Sequence, residues 1–322
     1  MIHILHDTSE GYPFIAELLK KECVRHYSPQ RFHKYISWFI GSWNVIFTSN
    51  PSDIIICVYD FQAVICYWIS LLLFRPRRIL GINILLKNKN NFRNKIARFL
   101  YRKALKSKYF TATVSTPQYG LLLSKWLNID CNLPLLRDVF YSSYLNDAIK
   151  IGSSDGRYVF CGGRNGRDWN FIIQVARNTP DIEFCLVIPY KIVQSFTDIP
   201  SNISLHYDIP YSEFNRLLSQ ATVVALPLET EAPAGLIVVF QAAAFKKGII
   251  MTDTASTHDY LCDGKGFGLD NDVLLWSKTI KNIFEDKHYS SVASENLLSY
   301  LQNTCSEERY VDRIRQIVEQ ME

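Results

Sequence analysis

The chain lacks what would mark a disulfide scaffold, a metal domain or a secreted precursor. Its eight cysteines (23, 57, 66, 131, 161, 185, 262 and 305) are scattered, with no Cys-x-x-Cys pair and no metal-ligand spacing. They read as small buried residues of a reducing compartment. No basic, apolar and small-residue order of a secretory signal opens the sequence. Internal repeats and low-complexity stretches are missing, and no Asp-x-Asp pair stands out as a cation site. Most pointedly, no acid occurs between Asp60 and Asp130, a stretch that holds 13 Lys/Arg. Twelve of these fall between Arg75 and Lys108.

What is present is an ordinary globular composition, 48% hydrophobic and 20% charged over 322 residues, enough for two domains with a core each. The net charge of +4 hides an asymmetry: residues 1–150 carry 20 Lys/Arg against 9 Asp/Glu, and residues 151–322 carry 15 against 22. Such a bias speaks of partners and not of fold.

Short apolar runs at 2–5, 53–59, 78–85 and 111–115 alternate with helix-compatible stretches. A cleaner alternation follows the turn-rich link 150–156. There 158–161, 183–189, 203–207, 222–227 and 248–253 read as strands, and 168–178, 211–220, 235–246 and 272–285 as helices. Strand–helix alternation of this length implies βαβ units and parallel sheets. The expected division is an N-terminal domain over 1–150, a C-terminal domain over 151–303 and a final helical segment, 304–322. Residues 54–74 approach the length of a bilayer span, but Asp60 and Gln62 lie inside. A charge in hydrocarbon costs at least ~2.5 kcal/mol, so a buried strand, a turn at Asp60 and a buried helix is the preferred reading.

Two segments carry the chemistry. Gly162-Gly-Arg-Asn-Gly-Arg-Asp168 follows a strand. Its glycines allow close backbone approach, Arg164 and Arg167 offer forked donors for phosphate oxygens, and Asp168 suits a helix cap. Pro233-Ala-Gly235 opens an apolar helix whose first N–H groups and dipole form an anion site. Glu229 and Glu231 precede it, and Gln241 is a lone amide inside it, facing either a ligand or a local partner. In the first half, His6 and Asp7 end the first strand and are weak catalytic candidates, equally readable as a polar loop. On a helix, Phe92, Ile96, Phe99 and Leu100 share a face, with Lys95, Arg98, Arg102 and Lys106 along its flank. A basic amphipathic helix of this kind suits an anionic membrane surface. Nucleic acid is disfavoured by the acidic second half and by the lack of a recognition motif.

Residues 158–262 resemble, in order, the C-terminal domain of the large retaining, nucleotide-sugar-dependent group of GT-B-fold glycosyltransferases (family 4 and family 1-like). The resemblance rests on the strand into Gly-Gly-Arg, the Ile209-Pro-Tyr passage before a helix, the strand ending at Pro227, and Ala234-Gly-Leu through Gln241-Ala-Ala-Ala. Its flavour is that of bacterial cell-surface polysaccharide enzymes. It implies an α/β fold of GT-B architecture, two Rossmann-like domains facing a cleft, with the acceptor bound by the first and the donor by the second. The implied donor contacts are Gly163, Arg164, Arg167, Ile209, Glu231, Ala234, Gly235, Leu236 and Gln241. Arg164 matches the family's phosphate-binding arginine and Arg167 stands for its partner lysine. Gln241 stands where the second glutamate of the E-x7-E motif holds the ribose, and Pro233 where the first would fall. A nucleotide-diphosphate sugar is then the donor substrate, with no cofactor and no metal. A lipid-linked saccharide is the acceptor, and the location is cytoplasmic, peripheral on the inner face of the membrane. Two alternatives stay open: a GT-B-fold epimerase acting on a free nucleotide sugar, and a non-catalytic GT-B-like partner subunit.

Overall fold

The computed structural model of the protein describes residues 1–6, 23–27, 33–154, 156–286 and 288–321. The chain forms two compact units, Met1–Val139 with Glu307–Glu322, and Phe140–Ser306. The division falls at Val139 and at Ser306, where the sequence suggested 150 and 303. The reason is the helix Ser142–Ile151, which packs on two helices of the second unit, Tyr211–Ser219 and Leu236–Ala244.

In the first unit, five parallel strands run β1 (Ile2–His6), β2 (Cys23–Tyr27), β3 (Ile54–Cys57), β4 (Arg78–Gly81) and β5 (Phe110–Ala112), in the spatial order β2-β1-β3-β4-β5. Ile2 pairs with both Cys23 and Ile54, and Ile54 with Arg78, which sets the register. Strand β2 had no apolar run to announce it. The helices α1 (Lys34–Thr48), α2 (Asp60–Leu72) and α3 (Phe92–Leu105) form one layer on the sheet, because the crossovers β2–α1–β3, β3–α2–β4 and β4–α3–β5 all step the same way along it. α1 packs on α2, and α2 on α3. Residues 54–74 form β3 and α2, and no helix among the described residues is long and apolar enough to cross a membrane. α4 (Pro117–Leu127) starts at a Thr116 cap with proline in its first turn.

The second unit begins with α5 (Ser142–Ile151). It then alternates β6 (Tyr158–Gly162), α6 (Trp169–Arg177), β7 (Glu183–Ile188), α7 (Tyr190–Val193), β8 (Ile203–Tyr207), α8 (Tyr211–Ser219), β9 (Val223–Leu226), α9 (Leu236–Ala244) and β10 (Gly248–Thr252). It continues with α10 (His258–Leu261), β11 (Phe267–Leu269), α11 (Val273–Glu285) and α12 (His288–Thr304), while α13 (Glu307–Glu319) returns to the first unit. There Arg313 Nε donates to the Leu135 carbonyl at 2.9 Å.

All six strands of the second sheet are parallel, in the order β11-β10-β9-β6-β7-β8. Alternate side chains feed two cores. Val159, Cys161, Val223, Ala225 and Ile250 pack with α6 and α11. Phe160, Val224, Leu226, Ile249 and Met251 pack with α8, α9 and α12. The strand order reverses between β6 and β9, so the crevice beyond their carboxyl ends is where an open α/β sheet binds ligands.

Candidate functional site

The two loops that leave β6 and β9 are zipped together at that crevice. Asp168 N donates to the Pro227 carbonyl and Glu229 N to that of Gly166, both at 3.0 Å, with Arg167 and Leu228 forming an antiparallel bridge. A second tie holds the β9 exit to β10: Leu228 N donates to Thr252 Oγ1 at 2.7 Å, Thr252 lies 2.6 Å from Asn271 Oδ1, and Asn271 Nδ2 donates to the Leu228 carbonyl at 3.0 Å. Thr252 and Asn271 carried no sequence signal, because each works through a residue more than twenty positions or a strand away. The neighbouring Asp272 caps α11 by accepting from Leu275 N. Among the described residues no group of three His, Cys, Asp or Glu side chains is arranged to hold a metal ion.

Arg167 is the centre of this arrangement. Its side chain is 95% buried by accessible surface, given a residual exposure of 5%. Its Nε donates to the Gly162 carbonyl at 3.0 Å and its Nη1 reaches the Asn165 carbonyl at 3.4 Å. The guanidinium lies between two glycines of left-handed backbone. A Cβ at Gly163 (φ +127°) would fall 2.8 Å from Nη2, and one at Gly235 (φ +85°) would fall 3.0 Å from Nη1 and 2.7 Å from the Met251 methyl. Glycine is therefore required at both positions, for conformation and for space. Burial pulls the pKa of the guanidinium below its ordinary value, opposed in part by the electrostatic pull of Cys161. No carboxylate pairs with Arg167 among the described residues. A buried cation satisfied only by carbonyls is costly to keep.

Gly235 is also the N-cap of α9, a nine-residue helix. The first N–H groups of a helix have no intrahelical acceptor, so the positive end of α9 and the Arg167 guanidinium converge on one place. Asp168 caps α6 by accepting from Phe171 N at 3.0 Å, as its position after the glycine turn suggests.

The other expected donor residues divide. Ala234 packs against Gly166, and Leu236 belongs to the core with only its backbone at the helix start. Ile209 packs on the core just after Asp208, whose φ is +49°. Arg164 is exposed and Arg167 is the buried cation of the pair. Glu231 is held by the next loop: its Oε2 accepts from Ala255 N at 2.9 Å, and its carbonyl accepts from Ser256 Oγ. Of the two partners open to Gln241, the structure shows the local one. Gln241 is 97% buried on the same measure, with 3% exposure, and its Nε2 donates to Asn215 Oδ1 at 2.9 Å. Asn215 Nδ2 and Tyr211 Oη in turn donate to Asp147 Oδ2 at 3.3 and 3.0 Å. This chain ties α9 to α8 and α5, a contact no local pattern announces.

In the first unit His6 is buried at the carboxyl end of β1, beside β3, where that sheet also reverses order. Asp7 lies outside the described residues. Lys95, Arg102 and Lys106 are exposed, and Arg98 donates to Asn88 Oδ1 at 2.6 Å. On the apolar face of α3, Phe92, Ile96 and Phe99 are exposed, while Tyr101 and Ala104 are the residues that α3 buries. Tyr101 Oη donates to Asp60, which also accepts from Leu85 N at 2.9 Å.

The backbone matches solved structures over almost its whole length. It is similar to HepE from Anabaena in complex with UDP-glucose, with a TM-score of 0.73, 12% identity and 99% of both chains covered. It is similar to sucrose-phosphate synthase from Thermosynechococcus elongatus, with a TM-score of 0.74, 12% identity, and 99% of this chain and 98% of that one covered. A glycosyltransferase from Rickettsia africae matches at a TM-score of 0.66 and 11% identity, over 99% of this chain and 98% of that one. This is the GT-B fold. No protein-family model matches the sequence, and no curated protein sequence does. At 11–12% identity the GT-B likeness lies in the backbone, which makes the Arg167 cradle the feature on which a functional reading depends.

Proposed function

We propose that the chain is a glycosyltransferase that moves a sugar from a nucleotide-diphosphate donor to a saccharide acceptor. The observation that carries the reading is the buried, acid-free guanidinium of Arg167 at the start of α9, inside the crevice where the second sheet reverses order. A diphosphate supplies the missing anion. As the glycosidic bond breaks, negative charge grows on the leaving diphosphate, and a fixed guanidinium and helix N-terminus stabilise it without reorganisation. That supply of positive charge supports a reaction without a metal ion. Arg164, on the exposed rim, adds a second cation, and the HepE complex with UDP-glucose supports a UDP-sugar as the first donor to try.

The finer reading is a polysaccharide-building enzyme, retaining by resemblance. Its acceptor is carried on a lipid, and it rests on the inner membrane face through Lys95, Arg98, Arg102 and Lys106. Twelve cations without an intervening acid support an anionic surface as partner. The test is donor turnover by purified protein with and without saccharide acceptors, beside nucleotide binding by Arg167→Met. Turnover that requires an acceptor supports transfer, whereas epimerised donor in its absence would support the epimerase. Nucleotide binding undiminished by Arg167→Met would remove the site assignment.

A further inference from the structure

The three helices α1, α2 and α3 form one layer, and its outer surface carries an apolar ridge that neither the core nor the crevice uses. On α1, Tyr35, Phe39, Trp43 and Phe47 recur every four residues and are 38–47% exposed. The inner face of the same helix buries Trp38, Val45 and Ile46. The outer rings touch in series, Phe39 to Trp43 at 6.1 Å and Trp43 to Phe47 at 5.1 Å between centroids. Scattered exposed apolar residues are ordinary; a continuous aromatic row is a binding surface. At the end of α2, Leu72 is 73% and Phe74 93% exposed, and Phe74 has φ +55°, a conformation a bulky residue rarely adopts.

Cations border the ridge. The Arg75 guanidinium lies 4.7 Å from the Phe47 ring centre, and Arg93 Nη2 donates to Tyr35 Oη at 3.2 Å. On α3, Lys103 sits over Phe99 at 5.9 Å. Aromatic rings beside lysines and arginines are the pattern of a bilayer interface, rings at headgroup depth and cations among the phosphates. The charge also decides between occupants. A second copy would bring the same face against itself, setting the exposed Arg75, Arg93, Lys95, Arg102 and Lys103 against the same cations, in a stretch that holds no acid between Asp60 and Asp130.

We infer that the α1 ridge, led by Phe39, Trp43 and Phe47, inserts into the headgroup region of an anionic bilayer. This rests on the reading of α3 as a membrane-facing basic flank, and it adds an apolar component that salt does not screen. The test is partition of the full-length protein onto phosphatidylcholine vesicles with and without phosphatidylglycerol, at low salt and at about 1 M NaCl, where the Debye length is ~3 Å. The triple variant Phe39→Ser, Trp43→Ser, Phe47→Ser changes exposed side chains only. It is expected to lose at least about tenfold in partition at both salts. Neutralising Lys95, Arg98, Arg102 and Lys106 to glutamine is expected to weaken binding at low salt alone. Bromine-labelled lipid should quench wild-type fluorescence and quench Trp43→Phe less. If the serine variant binds like wild type while the glutamine variant is released, the basic reading stands and insertion is overturned. If the wild type ignores anionic vesicles, both fall. A dimer of the wild type that the serine variant dissolves would assign the ridge to a protein interface and overturn the inference.

Discussion

Arg167→Met removes a buried charge while keeping much of the side-chain volume, and its two effects should separate cleanly. In the wild type the guanidinium is nine-tenths buried, held by the Gly162 and Asn165 carbonyls and pulled toward neutrality by burial. Methionine relieves the desolvation of that charge, which offsets much of the ~1–3 kcal/mol left by a carbonyl without its donor. Stability without ligand should therefore change by no more than about 1–2 kcal/mol. Binding has no such offset. A nucleoside diphosphate loses two charge-assisted hydrogen bonds of ~1.5–3 kcal/mol each, so Kd should rise by at least about 100-fold. Titration calorimetry with UDP reads the affinity, and thermal unfolding with and without UDP reads both effects at once. At 100 times Kd the ligand stabilises the wild type by ~2.7 kcal/mol, a gain that should fall to about 0.4 kcal/mol or less in the variant at the same UDP concentration. Arg167→Lys keeps the charge without the planar fork and should fall between. A variant of unchanged fold that binds UDP within about threefold of wild type would refute the reasoning, since no other buried cation stands at that crevice among the described residues.

Other consequences follow from single contacts. Gln241→Leu strands Asn215 Oδ1 and should cost ~1–3 kcal/mol in urea unfolding with UDP affinity unchanged; a tenfold loss of affinity would return Gln241 to the ligand. Lys246 ends α9 with φ +54° while its N–H bonds to Ala243 and that of Lys247 to Ala242, a helix stop that prefers glycine. Lys246→Gly should raise stability by roughly 1 kcal/mol, measured by the same unfolding. In the first unit, burial and then repulsion by His3 lower the His26 imidazole from its ordinary 6.5 to about 4. The unfolded chain takes that proton first, so this contribution is complete above about pH 6.5 and is lost as pH falls toward 4. His26→Phe should flatten the acid side of the stability–pH curve; an unchanged curve would mean the imidazole titrates normally.

Much of the fold was readable because it is local. A run such as 223–226 can only be a doubly buried strand, and Thr116-Pro, Asp168 and Asp272 announce helix starts by the capping chemistry they offer their own backbone. Strands β2 and β11 escaped, since five and three residues of mixed polarity take their conformation from neighbours and not from their own pattern. The buried residues of α3 escaped for a similar reason: periodicity finds a stripe, but that Tyr101 turns inward rests on its contact with Asp60, 41 residues away in the chain.

The same line divides the candidate site. Composition and order alone determined two parallel α/β sheets, a glycine turn after β6, an anion-ready start to α9 and a basic face on the first half, because each depends on residues within a few positions of one another. Only the tertiary structure decided that Arg167 and not Arg164 is the buried cation, that Gln241 serves the joint between α9 and α8, and that a row of aromatics on α1 faces outward. Those assignments depend on which side chains burial brings together and which it leaves outside. Burial is a property of the packed sheet and its helices, not of any stretch of sequence.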